Sequence, residues 1–203
     1  MIKANPDFLT YVALPTTDNE ADFIREVYNK ISASPEDCLY AIFDKATTPN
    51  EKNSYSNYAG IISLSGTNPV NAVTEMGVMI FPAFQRTHVA TNAIGLLLLW
   101  TLDPPSIGDP TGGLGLRRVQ WQTDAENAAS RKTALRMGFE FEGIARWQRV
   151  SPRCEFGLSV EALEMRNGTK GEVPGRHTAI FSIVWDEWDE KRPKVIALME
   201  QKR

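Results

Sequence analysis

Cysteine is scarce in this chain: Cys38 and Cys154 are its two, far apart and without metal-ligand spacing. That excludes a disulfide framework and a cysteine-bound metal centre, and it fits a reducing compartment with free, partly buried thiols. No metal is expected. Long apolar runs are also missing. No stretch reaches the roughly 18 residues of a membrane span, and Met1-Ile2-Lys3-Ala4 does not open a signal peptide. The expectation is a cytoplasmic protein with no membrane partner, in which Asn167-Gly168-Thr169 is a turn rather than a glycosylation site. A basic stripe is lacking too: the net charge is −3, and Lys and Arg cluster only in small pairs such as Arg117-Arg118, Arg131-Lys132 and Lys191-Arg192. Nucleic acid is therefore not an expected partner. Internal repeats and low-complexity tracts are absent.

What is present suits one sizeable core, since 42% of the 203 residues are apolar. The spacing of Phe23, Ile24, Val27, Tyr28 and Ile31 predicts a helix over 18–31, broken by Ser34-Pro35. Leu39 to Phe43 and Tyr58 to Leu64 read as strands able to form a hairpin, and Val73 to Phe81 as a third, covered on both faces from Met76 onward. A helix begins near Val89 and ends before Asp103-Pro104-Pro105. A Gly/Pro-rich loop at 109–115 leads to a strand over 118–122, and Asn127 and Gly138 bracket a short helix. Strands are expected over 139–150 and 178–185, separated by a long insertion, with the charged end from Asp186 helical and partly frayed. The strand, helix, strand, helix order at the centre implies a parallel pair, and the outer strands imply antiparallel pairing, giving a mixed α/β sheet.

Polar Gln85-Arg86-Thr87-His88 separates the third strand from a helix that is apolar almost all round. A helix start leaves backbone N–H groups without intrahelical partners and carries about half a positive charge, so a phosphate or pyrophosphate is one natural guest. A plain strand-to-helix turn is the other reading of the same residues. Further on, "RRVQWQTDAENAASRKTALRMGFEFEG", from Arg117 to Gly143, sets Asn127, Ser130, Gly138-Phe139 and Glu142-Gly143 in order. With Glu75-Met76-Gly77, Pro82, Gln85-Arg86-Thr87, Ala90-Thr91, Trp121 and the late Thr178-Ala179-Ile180-Phe181-Ser182-Ile183, this ordered set resembles the GNAT acetyltransferase superfamily, closest to its RimJ/RimL-like branch including fungal-type members. The resemblance covers roughly 11–188.

The resemblance implies a GNAT-like α/β fold: a mixed, mostly antiparallel twisted sheet with a splayed central parallel strand pair and helices on both faces. It implies one domain over 1–188 with an insertion loop at 151–176, and a charged tail or helix at 189–203. The implied activity is transfer of acetyl from acetyl-CoA to a primary amine, either a protein N-terminus or a small molecule. Val78, Met79 and Ile80 would then lie along the cofactor's pantetheine arm, and Gln85, Arg86, Thr87, His88, Val89, Ala90 and Thr91 would form a collar around its pyrophosphate. The strands at 73–81 and 118–122 would splay to admit the arm. The common form of the motif has glycines where this chain has Arg86 and His88. The His88 ring either meets phosphate or faces solvent while its backbone contributes.

Acetyl transfer needs a neutral amine and a leaving thiolate that is stabilised or protonated. Many superfamily members place a Tyr seven residues after the Asn; here that position is Ala134. Ser130 takes its place by resemblance, as general acid or hydrogen-bond donor, or else caps its helix. Asn127 caps the helix and touches the cofactor arm. Glu75 is the first choice of base or an ordinary strand-end carboxylate; Glu142 is the second choice or a turn-holding residue. Arg131-Lys132 either reach the cofactor's 3′-phosphate or cover a solvated helix face. Trp121 and Phe139 are assigned to the core, and His177 stands where related sequences carry Asp.

The acceptor is not legible. Glu155, Glu161, Glu164 and Glu172 in the insertion are compatible with a cationic acceptor or with plain surface. The superfamily's usual first strand has no good equivalent here, so one open sheet edge is expected, in a monomer or a homodimer. The rival readings are a catalytically weak acetyl-CoA-binding module and an interaction domain without ligand.

Overall fold

The computed structural model describes residues 11, 19–48, 55–106, 112–150 and 175–201. Asn19 caps the first helix through its side chain, which accepts from the Asp22 N–H. That helix runs as α1 (Glu20–Phe23), a wider π turn (Ile24–Tyr28) and α2 (Asn29–Ala33), two residues later than the spacing predicts. Then come β1 (Cys38–Phe43), β2 (Tyr58–Asn68), β3 (Val73–Ile80), a 3-10 turn (Pro82–Phe84), α3 (His88–Leu102), β4 (Arg118–Asp124), α4 (Ala128–Arg136), β5 (Glu140–Val150), β6 (Gly175–Val184) and α5 (Trp185–Glu200). Calls on 151–174, including Cys154, the glycosylation-like tripeptide and the four insertion glutamates, lie outside the described residues. Cys38 is exposed rather than partly buried. No helix among the described residues is long and apolar enough to cross a membrane.

The sheet has six strands in the order β1-β2-β3-β4-β6-β5. All neighbours are antiparallel except β3 and β4, which pair parallel. This is the mixed sheet with a splayed parallel pair that the resemblance implied. The parallel ladder is short, joining Val73 to Arg118, Thr74 to Val119 and Glu75 to Gln120. Beyond Glu75 the two strands part, while β3 stays paired with β2 as far as Ile80.

Alternation along the strands sorts the faces. Met76, Val119, Trp121 and Phe181 are buried with α3 residues Val89, Ile94 and Leu98 in the core. Glu75, Gln120 and Gln122 take the opposite face. Helix α3 is apolar on most sides because it is covered twice, by the sheet and by α5. Gly95 permits the second contact, since a methyl group there would run into the Met199 side chain. The stretch Trp185–Glu200 is a single helix that runs through residue 188. Its buried Trp188 and Val195 are one heptad apart, a stripe masked in the sequence by seven charged residues over 186–194. Asp103, just past α3, accepts from Trp188 Nε1 at 2.7 Å and from Arg192 Nε and Nη2 at 2.8 and 2.9 Å, pinning α5 in place.

Candidate active site at the strand seam

Strand β3 leads into the collar through Pro82, whose fixed φ suits the first position of the 3-10 turn. Gln85 braces this turn: its N–H donates to the Pro82 carbonyl and its Nε2 to the Ile80 carbonyl at 3.1 Å. Arg86 has φ 63°, the left-handed region that glycine adopts freely. The turn therefore keeps the glycine conformation at this position without glycine, at a cost of about 1–2 kcal/mol. Thr87 is the N-cap of α3; its Oγ1 donates to the Phe84 carbonyl at 2.6 Å and accepts from the Val89 N–H at 3.3 Å. The N–H groups of Thr87, His88 and Ala90 belong to the set that a helix start leaves without intrahelical acceptors.

The His88 ring has a partner that the sequence did not indicate. Its Nε2 lies 3.2 Å from Oδ1 of Asp44, which follows β1. Burial opposes ionisation of Asp44, but donation from Thr47 and the Ala46 N–H, with His88 nearby, holds its carboxyl below the usual range. The pair clips the collar to the loop after β1. Arg136 of α4 donates to the Thr91 hydroxyl at 3.1 Å, which brings a guanidinium against the first turn of α3.

At the gap between β3 and β4, Val78, Met79 and Ile80 pair with β2 on one side and have no strand partner on the other among the described residues. Glu75 is the last paired residue before the gap. Burial pushes its carboxyl above the usual range, against the pull of Arg149 and Arg176. Glu142 is in the opposite condition. It is held bidentate by Arg118 at 2.6 Å on both oxygens and accepts from Ser182 at 2.8 Å. The Arg118 hydrogen bonds keep it well ionised and below the usual range despite partial burial. A carboxylate engaged in this way is a brace across β4, β6 and β5 and a poor proton acceptor, and of the two Glu75 is the more readily protonated.

Across the gap, Asn127 caps α4 by accepting from the Ser130 N–H at 3.0 Å. The cap is Asn127, not Ser130. The Ser130 hydroxyl oxygen accepts from Trp121 Nε1 at 3.0 Å, which leaves the hydroxyl proton to be donated elsewhere. Trp121 and Phe139 are core residues as assigned, in edge contact with each other. Arg131 is engaged locally, donating to the Ala125 carbonyl and covering the Phe141 ring. His177 accepts from the Trp147 N–H through Nδ1 and packs edge-on against its ring.

The structure thus brings Glu75, Val78–Ile80, the collar and Ser130 to one seam. The sequence reading missed Asp44, Arg136 and Arg149. Asp44 lies 44 residues before its partner His88, and no local pattern marks such a pair. A groove of about 640 Å3, lined mostly by apolar residues such as Ile42, Ala93, Leu97 and Trp100, runs between β1 and α3 and reaches Asp44, His88 and Val89 at the collar.

The acetyltransferase (GNAT) domain model matches residues 1–140. No curated protein matches the chain. Among solved structures, a GCN5-related N-acetyltransferase from Brucella melitensis is 27% identical, with a TM-score of 0.68 over 95% of this chain and 70% of that one. A probable GNAT-family acetyltransferase from Chromobacterium violaceum is 25% identical, with a TM-score of 0.69 over 93% and 76%. A spermidine N-acetyltransferase variant from Vibrio cholerae shares the fold at 16% identity, with a TM-score of 0.54 over 83% and 78%.

Proposed function

The chain belongs to the GNAT acetyltransferase family, and from that premise we propose that it is an acetyl-CoA-dependent N-acetyltransferase of the RimJ/RimL-like branch, acting on a primary amine by direct attack in a ternary complex. The observation that carries this reading is the parting of β3 and β4 immediately after the Glu75–Gln120 pair, with a helix N-terminus at the far end of the gap. The residues fit the cofactor: the open side of Val78–Ile80 suits an extended amide-bearing arm, and the collar suits a diphosphate. When bound, acetyl-CoA supplies an activated acetyl thioester.

The protein's own groups divide the remaining work. Glu75, on the face away from the core, accepts the proton of the incoming ammonium directly or through water; its raised pKa brings it closer to the working range of a base. Ser130, on the core face, donates its hydroxyl proton to the developing thiolate, with Trp121 fixing the orientation. The collar and Arg136 hold the phosphates by charge and backbone N–H groups. Positioning of the two reactants accounts for much of the rate.

The test is thermal stabilisation by acetyl-CoA together with thiol release in the presence of an amine panel of N-terminal peptides, amino acids and polyamines. A rise in melting temperature and amine-dependent release are expected. Binding without release on any amine would support a catalytically weak binding module; an unchanged melting temperature at millimolar acetyl-CoA would remove both readings.

A further inference from the structure

Strand β5 loses register with β6 between Ala145 and Arg149: Ala145 pairs with Thr178, and Arg149 with Arg176. Four residues on β5 therefore span two steps on β6. Trp147, within this bulge, has φ 57°, a conformation bulky side chains rarely adopt. Its ring lies against Gly175, where a methyl group would have no room. Bulges re-aim side chains, and this one sends Arg149 inward. From β5, its guanidinium reaches past β6 to Gln122 on β4, at 3.4 Å, and to Glu75 on β3, at 3.8 Å. Both contacts use Nη2. They are long, the Arg149 side chain is 42% exposed, and among the described residues the other N–H donors of the fork have no partner, which leaves them to a ligand on the Glu75 face.

A guanidinium stands beside the candidate base: Arg149 reaches Glu75 at 3.8 Å, while Arg118 is paired with Glu142. A second ammonium on the acceptor would face the Arg149 guanidinium. A carboxylate would meet the geometry a guanidinium recognises best, two parallel N–H groups. The 3.8 Å between Glu75 and Arg149 is close to the separation of amine and carboxylate when one or two carbons lie between them.

We propose that Arg149 is an acceptor-specificity residue and that the acceptor is an amine bearing a carboxylate one or two carbons away, a free amino acid or its near homologue. This rests on the acetyltransferase reading. The reaction balances: Glu75 takes one proton from the ammonium, the amine nitrogen forms the bond to the acetyl carbon as the carbon–sulfur bond breaks, and a second nitrogen proton replaces the hydroxyl proton that Ser130 gives to the departing thiolate, so that the thiol leaves.

The test compares kcat/KM by thiol release for free amino acids, their C-terminal amides and a diamine. Rates are taken at a pH above the acid limb, because losing Arg149 also removes a charge that holds the Glu75 pKa down. Acids should exceed their amides by about 10-fold or more, with the diamine slowest. Arg149→Met should cost the acids about 10–150-fold, mainly in KM, in line with a charged hydrogen bond, and leave the amides within about 2-fold. Arg149→Lys should restore part of the loss. Circular dichroism and the acetyl-CoA-induced melting shift check that each variant folds and binds cofactor. Amides or the diamine matching the acids, or Arg149→Met slowing acids and amides alike, overturns the specificity role while the enzyme reading stands. Acetyl-CoA binding with no turnover of any amino acid also overturns it; no acetyl-CoA binding overturns the underlying reading.

Discussion

Replacing Ser130 by Ala should injure the protein in two separable ways. The first is structural. Trp121 Nε1, in a side chain only 4% exposed, donates to the Ser130 hydroxyl at 3.0 Å. Removing the acceptor leaves a buried N–H unpaired, a cost of about 1–3 kcal/mol. At about 2–4 °C per kcal/mol for a chain of this size, melting should fall by roughly 2–12 °C. The second is chemical. A hydrogen bond to a charged group contributes about 1.5–3 kcal/mol, so losing the donor to the thiolate should lower kcat by about 10–150-fold. A double-mutant cycle with Trp121→Phe separates the two. In the Trp121→Phe background no indole N–H remains to be stranded. Adding Ser130→Ala there should cost little further stability and still take most of the remaining rate. Denaturant titration and thiol-release kinetics on the four proteins are the assays. A stability loss of equal size in both backgrounds would refute the hydrogen-bond argument, and an undiminished kcat in Ser130→Ala would refute the leaving-group role.

Glu75→Gln should lower kcat/KM and abolish its acid limb, which in the parent lies above the usual glutamate range near ~4.3. Because burial raises the Glu75 pKa, its ionisation costs stability once pH passes that raised value; the variant should be more stable than the parent at neutral pH and should lose this advantage in acid. Asp44 has the opposite sign: its lowered pKa contributes stability that is present above the usual aspartate range near ~3.9 and lost as pH falls through the depressed value. Asp44→Asn should cost about 1–3 kcal/mol at neutral pH by denaturation and weaken acetyl-CoA binding by titration; unchanged binding would separate the His88 clip from the collar. Gly60→Ala would set a methyl group on the Met79 carbonyl oxygen, so a loss of about 1–3 kcal/mol is expected, with a parent-like denaturation midpoint as the contrary result.

The fold was largely legible because its signals are local or periodic. Short apolar runs bounded by turn residues marked the six strands, and the run from Val89 to Leu102 marked α3. The opposite was true of the couplings that tune the site. Trp121 read correctly as core, yet nothing in the sequence says that its N–H reaches Ser130, because that contact depends on how α4 sits on β4. Ser130 read as a possible cap, and Asn127 took that place. Arg149 looked like one more strand residue; the bulge around Trp147 that turns it toward Glu75 comes from packing against Gly175, across a connection of 24 residues outside the described chain. Glu75 was the first choice of base and Glu142 the second, but only the structure separates them into a protonatable group and a fixed anion, through burial of Glu75 and the hold of Arg118 and Ser182 on Glu142.

The short β3–β4 ladder also governs how the molecule breathes. With three residue pairs joining the two half-sheets there, amide protons along Met76–Ile80 that point into the gap have no strand acceptor across it among the described residues to slow their exchange with deuterium. An occupant lying along that edge would act as an additional strand, and the protection it confers would trace its footprint residue by residue, even for an analogue that never reacts.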